Sequence, residues 1–464
     1  MSDDTSVLIW CIVSALAWVL VGVAIARAHR DGLHVGTIFC LLFALTYPLK
    51  LIATGYGYAV LNSAALGAEW QLWALALSNL SAAMFVLPVA FGTKSVRLES
   101  DYREQLEPRS ASSAMGWLLT AMVLLVASYG VDSISRVLSV EALIELKEQR
   151  GQARLFSASS ALMRDAGTFC LITHLAIVIE RWRRLGPALR IAYATGWCAV
   201  AYVLLAISGS KYMGLLPFAI TLLVANSVHM NRHGRGIRVL ATAFFALVAI
   251  VGIGLTGYLR GLGEIPTPDG LVVAALIQVG HAFDAPDNLS FILSRSDNWW
   301  TGDLVFAPTI QYVLLSAIPR AIWLDKPLIL GNQYIMERYL PERFTDESGE
   351  VISPSMAGEM LLSGGIWFMT VWSFILGVAI ALVCRWTQTH RRSRLAIAVY
   401  AWLCLNIFNL LRSGTGIVSP LMVFTAMSAL TLVASRIAAT VSRGACRPAP
   451  SLAVIGDRRA GEVS

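Results

Sequence analysis

Apolar runs long enough to cross a lipid bilayer recur along this chain. The hydrocarbon core of a bilayer is about 30 Å thick, and a spanning α-helix needs roughly 20 apolar residues. Only 14% of the 464 residues are charged, against about 25% in soluble domains, so a single soluble globule is not expected. The sequence predicts an all-α polytopic integral membrane protein with about 11 transmembrane helices, at 7–26, 35–53, 70–91, 114–130, 161–179, 189–208, 212–227, 239–258, 365–384, 395–411 and 420–437.

Basic residues at alternate ends of these segments predict an orientation. Short cytoplasmic loops of membrane proteins carry an excess of Lys and Arg. Arg27 and Arg30 follow the first segment, whereas Asp3 and Asp4 precede it, so the N-terminus is predicted outside and the C-terminus inside. The net charge of +7 then reflects basic cytoplasmic clusters, and no nucleic-acid partner is expected. Residues 1–437 form the predicted membrane domain, and 438–464 a disordered cytoplasmic tail.

Two outer loops in this topology are long, at 131–160 and at 259–364, between predicted helices 8 and 9. Loops of this length usually carry function or structure of their own. The apolar runs 271–279 and 305–318 lie within the second loop. They are too short or too interrupted for spans and are predicted to form surface or re-entrant helices.

Outward-facing cations beside glycine-containing turns form the first candidate site. Lys211, Arg260 and Arg412 lie at the predicted outer ends of spans with glycine nearby, and Arg320 lies in the large loop. Glycine permits close approach of the backbone, and guanidinium groups grip phosphate oxygens bidentately. The set predicts a diphosphate site at the membrane surface. For any single cation, snorkelling to lipid phosphates or pairing with outer acids is an equal alternative.

Two residues are candidates for acid–base chemistry. His281 is the only histidine in a predicted outer loop, and Glu359 lies shortly before the span at 365–384. The structural alternatives are a hydrogen-bonding histidine and a carboxylate stabilised by a helix N-terminus. The chain has no Walker A sequence, GxSxG elbow or HExxH motif, so ATP hydrolysis, serine hydrolysis and zinc proteolysis have no support.

Five short motifs surround these candidate residues: Ile318-Pro319-Arg320 to Lys326-Pro327, Ser353-Pro354-Ser355 to Gly358-Glu359, Tyr258-Leu259-Arg260-Gly261, Leu411-Arg412-Ser413-Gly414 and Gly209-Ser210-Lys211. In these motifs the chain resembles the Wzy-type polymerases of bacterial surface polysaccharide, over residues 160–435 and most clearly in the C-terminal half. The turn at 209–211 departs from the family's Gly-Ser-Arg in having Lys211, which keeps the charge but loses bidentate geometry.

The resemblance implies a GT-C-like polymerase or ligase architecture in the bacterial inner membrane, with the active site facing the periplasm. It implies that a sugar hydroxyl of one lipid-linked repeat unit attacks the anomeric carbon of the growing chain, and that undecaprenyl diphosphate leaves. Arg260, Arg320, Arg412 and Lys211 would neutralise the diphosphate, and Glu359 or His281 would act as the base. The first outer loop lacks the paired acids of metal-using relatives, so no metal or cofactor is expected.

The implied partners are lipid-linked oligosaccharides and membrane lipids, and a chain-length regulator is a further candidate. Outer aromatic residues, Trp299, Trp300 and Tyr312, are candidates for stacking on sugars or for interfacial anchoring. An O-antigen ligase of similar architecture stays open as the close alternative. A transporter or flippase of lipid-linked sugars and a non-catalytic scaffold are further alternatives, although the large outer loop and nearly charge-free spans count against transport.

Overall fold

A computed structural model of the chain describes residues 3–29, 34–55, 67–92, 112–129, 158–182, 185–208, 285–296, 299–301, 355–389 and 394–412, together with 217, 221, 426 and 429. Within these ranges the regular structure is helical, without strands. The helices are α1 (Asp3–Ala28), α2 (Val35–Gly55), α3 (Ala68–Gly92), α4 (Ser112–Tyr129), α5 (Ala158–Arg181), α6 (Pro187–Ser208), α7 (Ala285–Arg295), α8 (Ser355–Thr389) and α9 (Arg394–Arg412).

The predicted spans that fall within the described ranges are all helical. α1 to α6 coincide with the first six predicted segments, and α8 and α9 contain the segments at 365–384 and 395–411. The all-α class is therefore confirmed for this part of the chain. The segments at 212–227, 239–258 and 420–437 lie outside the described residues apart from isolated positions, so the total of about 11 spans stays a prediction. Most of the predicted loop 131–160 and the tail lie outside these ranges, whereas residues 285–296, 299–301 and 355–364 of the predicted loop 259–364 are described and are mainly helical. The apolar runs 271–279 and 305–318 lie outside the described residues, and the GT-C-like architecture stays a prediction.

In the part of the chain that the structure describes, three helices are long and apolar enough to cross a membrane, at Ser6–Ala28, Ala68–Gly92 and Ser355–Thr389. Shorter apolar helices cover Val35–Thr46, Ala114–Ser128 and Leu395–Leu411. α1 is apolar on its packed and exposed faces alike, and its exposed side chains include Leu8, Ile9, Trp10, Leu16 and Leu20. A helix that is apolar all round suits lipid rather than water, so the chain is a membrane protein.

α3 and α8 pack side by side and run in the same direction. The Ser81 and Ser373 hydroxyls lie 2.8 Å apart, and Gly92 of α3 lies beside Ala381 of α8. Between these two points, Gly377 packs directly against the Phe85 backbone of α3. Small residues and hydroxyl pairs of this kind allow close approach between membrane helices.

α1 runs antiparallel to α2 and parallel to α3. Trp18 contacts Phe43 with ring centroids 5.1 Å apart, and Gly22 of α1 lies beside Cys40 of α2. Asn79 of α3 accepts hydrogen bonds from Ser14 Oγ at 2.8 Å and Trp18 Nε1 at 2.6 Å, and His29 Nε2, just after α1, lies 3.4 Å from the Ala90 carbonyl oxygen near the end of α3. Successive spans in the predicted topology cross the membrane in opposite directions. The directions of α1, α2, α3 and α8 agree with this requirement.

α4, α5 and α6 form a second packed group. Gly167 of α5 lies against Leu125 of α4, and His174 Nδ1 of α5 lies 2.9 Å from the Ala114 carbonyl near the other end of α4. The pair is therefore antiparallel. Trp197 of α6 donates to His174 Nε2 at 3.3 Å, so both ring nitrogens of this buried histidine have partners, as a structural role requires.

His34 caps the N-terminus of α2. Its Nδ1 accepts a hydrogen bond from Gly36 N at 3.1 Å, and its ring stacks on His29 with centroids 4.1 Å apart. Burial, followed by repulsion from His29, lowers the pKa of His34 from 6.5 to about 3. Protonation of Nδ1 would also remove the cap and place a positive charge at the positive end of a helix.

Candidate functional site

The structure describes two of the predicted site residues. Glu359 lies near the start of α8, and Arg412 is the last residue of α9. His281, Arg260, Arg320 and Lys211 lie outside the described residues, so their predicted roles stay predictions. The candidate site is therefore built from the start of α8 and from the segments that pack on it.

α8 is two helical segments joined at a break. Gly364 has φ −170° and ψ 28°, and Gly365 has φ 72° and ψ −168°. The second pair of angles is reached almost only by glycine. The predicted span begins at Gly365 as expected, but helical structure already begins at Ser355. We call residues 355–363 the short segment of α8.

Ser355 begins the short segment as its N-cap. Its hydroxyl accepts a hydrogen bond from Gly358 N at 3.0 Å, which satisfies one of the free amide groups at a helix start. Ser355 has φ 70°, so the chain turns sharply as it enters the helix. Ser355 is thus the helix entry, and in the sequence it directly follows Pro354.

Glu359 is buried within this segment, with only 1% of its surface exposed. Apolar side chains flank it in sequence at Met360 and Leu361, and both are also buried. Ser363 Oγ donates to the Glu359 carbonyl oxygen at 2.8 Å. The helix dipole has its effect within the first turn, and Glu359 lies beyond that turn. This position weakens the alternative that Glu359 is only a carboxylate stabilised by a helix N-terminus.

A carboxyl group in such surroundings suits acid–base chemistry. Burial of an ionised carboxylate is costly unless it is hydrogen-bonded or paired. Carboxyl groups in buried sites are therefore uncommon, and they are often functional. The arrangement can accept a proton from, or donate one to, a hydroxyl group that reaches Glu359.

The backbone carbonyl group of Trp300 accepts a hydrogen bond from α8 at the break. The N–H of Ile366 would bond within the helix to Leu362, but it donates instead to the Trp300 carbonyl oxygen at 3.2 Å. A Cβ added to Gly365 would overlap the same carbonyl group. The Gly364-Gly365 sequence therefore permits both the sharp turn and the close approach of another part of the chain.

Trp73, Trp299 and Trp300 form an aromatic cluster at this break. The Trp299 and Trp300 rings are stacked with centroids 4.4 Å apart. Trp73, near the start of α3, lies 5.3 Å from Trp299 and 6.0 Å from Trp300 between centroids. The sequence indicates Trp299 and Trp300 as candidates for sugar stacking or anchoring, but it does not indicate Trp73, because nothing in the sequence pairs it with them. Tyr312 lies outside the described residues.

The short helix α7, Ala285–Arg295, is not predicted from the apolar pattern of the sequence. Asp287, Asn288 and Ser290 are buried in it beside Leu289 and Ile292, so its polar residues hide it from a search for apolar runs. Start and stop signals are nevertheless present. Pro286 and Asp287 fall in the first turn and Arg295 in the last, which are favoured positions for these residue types.

α9 ends at Arg412. The hydroxyl of Tyr400, early in α9, accepts a hydrogen bond from Val35 N at the start of α2 at 3.1 Å. Arg412 follows Tyr400 along the helix by about 18 Å, at 1.5 Å per residue. The helix therefore carries the chain away from the α2 start before reaching the predicted diphosphate residue.

Among the described residues, no group of three or more His, Cys, Asp or Glu side chains is placed to hold a metal ion. The comparisons with known proteins add no assignment: no protein-family model matches the chain, and no solved structure matches it.

Proposed function

We propose that this protein polymerises undecaprenyl-diphosphate-linked oligosaccharide repeat units at the outer face of a bacterial inner membrane. The growing glycan passes to a sugar hydroxyl of the next unit, a new glycosidic bond forms, and the bond from the anomeric carbon to undecaprenyl diphosphate breaks. Diphosphate is a good leaving group, so the demands on the protein are a base for the hydroxyl and positive charge for the diphosphate.

The observation that supports this proposal best is the buried carboxyl of Glu359 in a short segment of a broken membrane helix. Glu359 is 1% exposed, and the segment follows the Ser353-Pro354-Ser355 motif on which the resemblance rests. Non-helical backbone within membrane proteins is tolerated where protein buries it or where it lines a cavity, and broken helices commonly contribute to binding sites. In the proposal, Glu359 is the base that takes the proton of the attacking hydroxyl, and His281 is the alternative base.

The proposed cations are Arg260, Arg320, Arg412 and Lys211, which would hold the diphosphate without a metal ion. The support for them is the sequence: positive charge on the predicted outer side beside glycine-containing turns. Their proposed function requires the predicted orientation, with the N-terminus in the periplasm and the C-terminus in the cytoplasm. A reporter fused to each terminus tests it, and a cytoplasmic N-terminus would contradict the placement of the site.

The experiment is deletion of the gene in its source bacterium, followed by complementation with plasmid-borne variants. We expect deletion to remove long-chain surface polysaccharide while single repeat units persist on the cell surface. Loss of every capped unit would instead indicate the ligase, and accumulation of lipid-linked units on the cytoplasmic side would indicate a flippase. Normal chain lengths would refute the polymerase proposal.

Glu359→Gln tests the base while keeping the shape of the side chain. We expect this variant to reach the membrane in normal amount and to restore no long chains, whereas Glu359→Asp restores shorter or fewer chains. Asp165→Asn is the matched control, because Asp165 is also a buried acid, in α5, and lies 3.4 Å from the Arg164 guanidinium. Full complementation by Glu359→Gln would exclude Glu359 as the base.

A further inference from the structure

We propose that the exposed face of Trp300 is a stacking surface for a pyranose ring of the repeat unit, held beside the broken helix that carries Glu359. This inference rests on the proposed function, because it names where that function's sugar substrate binds. It extends the function to a binding site of defined chemistry, with Trp73 and Trp299 as its supports.

The cluster presents one ring and buries another. Trp300 is 52% exposed, whereas the stacked Trp299 is 9% exposed. Their planes differ by 22°, and Trp73 packs edge-on to Trp300 at 76°. Trp299 thus covers one face of the Trp300 ring and Trp73 borders it, which leaves the opposite face as the accessible surface.

The exposed ring is also fixed to the site by its backbone. The Trp300 carbonyl accepts the Ile366 N–H at 3.2 Å, directly after the break that ends the short segment of Glu359. Little conformational entropy is lost when a ligand binds to a ring that is already held by stacking and by this hydrogen bond.

A sugar is the occupant that matches this surface. A pyranose ring has one flat face of C–H groups and a rim of hydroxyls, so it can lie on an indole while its hydroxyls stay hydrogen-bonded to neighbouring groups. Indole rings provide rigid, amphipathic contact area. An acyl chain packs as well against a branched aliphatic side chain as against a flat ring. Replacement of Trp300 by leucine should therefore weaken the binding of a sugar but not the contact with an acyl chain.

The test uses the full-length protein in lipid nanodiscs and oligosaccharide repeat units released by partial acid hydrolysis of the source bacterium's surface polysaccharide. Saturation-transfer NMR at increasing oligosaccharide concentration measures binding. We expect Trp300→Leu to weaken binding about three- to tenfold, the range of one lost aromatic contact, and Trp300→Phe to stay within about twofold of the unchanged protein. Trp10→Leu is the control, because Trp10 is 57% exposed on α1.

Equal binding by Trp300→Leu and the unchanged protein would overturn the inference. Strong quenching of Trp300 fluorescence by brominated phospholipids would also overturn it, because acyl chains would then cover the ring. This quenching is measured as the part of the total that is lost in Trp300→Leu, compared with the part that is lost in Trp10→Leu. Chain growth in the complemented deletion strain separates the two proposals. If Glu359→Gln blocks growth while Trp300→Leu binds sugar normally, the polymerase stands and the stacking surface fails. If deletion of the gene leaves chain length normal, the polymerase proposal is refuted.

Discussion

Replacement of Gly365 by alanine should destabilise the protein more than any other single methyl group added to a described glycine. Two effects act together at this position. The backbone angles of φ 72° and ψ −168° lie in a region that costs a non-glycine residue about 1–3 kcal/mol. The new Cβ would also overlap the Trp300 carbonyl, and forced repacking of this kind costs about 1–3 kcal/mol. The expected loss is therefore about 2–6 kcal/mol.

Three other glycines separate these contributions. Gly67 has φ 88° and open space where a Cβ would lie, so its alanine variant reports backbone strain alone. Gly377 packs against the Phe85 backbone without positive φ, so its variant reports overlap alone. Gly116 lies in α4 with open space and ordinary helical geometry, where alanine is expected to stabilise by roughly 0.5–1 kcal/mol.

The assay is thermal unfolding of the purified protein in one detergent. The measured quantity is the fraction of protein that remains monodisperse after heating to each temperature. We expect Gly365→Ala to unfold at the lowest temperature, Gly67→Ala and Gly377→Ala at intermediate temperatures, and Gly116→Ala at or above the temperature of the unchanged protein. A Gly365→Ala variant as stable as Gly116→Ala would refute the close contact between the break in α8 and Trp300.

Three further predictions concern described contacts outside the break itself. Ser81→Ala and Ser373→Ala should each cost about 0.6–1.7 kcal/mol, and a double-mutant cycle should show that the second change costs less once the first is made. Ser355→Ala should lower the free energy of unfolding by about 1 kcal/mol through loss of the N-cap, and Ser355→Gly by less, because glycine tolerates φ 70°. Because folded His34 resists protonation down to a pKa of about 3, the free energy of unfolding should fall as pH drops below 6.5, by about 2 kcal/mol at pH 5. Denaturant titrations at several pH values should show a smaller dependence in His34→Asn, which keeps a capping side chain without titrating.

The membrane helices are predictable from the sequence because apolar runs report their position directly. In α1 the predicted segment 7–26 lies within Asp3–Ala28, and in α3 the segment 70–91 lies within Ala68–Gly92. A bilayer imposes length and apolarity on each spanning helix independently of the rest of the fold. These two constraints can be evaluated one segment at a time, without knowledge of tertiary contacts.

The candidate site depends on contacts that a segment-by-segment search does not contain. Glu359 is a candidate from the sequence, but its burial depends on the short segment of α8, which the apolar span at 365–384 does not include. The contact of Trp300 with Ile366 joins parts of the chain that are far apart in sequence. Gly364-Gly365 and Ser353-Pro354-Ser355 contain the local signals for a break and a helix entry, yet neither motif indicates which other segment packs there.

The two strained positions of α8 give the Glu359 segment a consistent physical interpretation. Ser355 and Gly365, at its two ends, both have positive φ, and residues 355–363 between them are buried. A helix that continued through Gly364 and Gly365 would have kept the Ile366 amide bonded within α8. The chain instead turns at both ends and buries a carboxyl between them. Strained backbone and buried acids each concentrate at functional sites, and a proton-accepting group benefits from being held rigidly in place. In the proposed function, the helix entry at Ser355 and the break at Gly365 would hold the Glu359 carboxyl in place for its role as base.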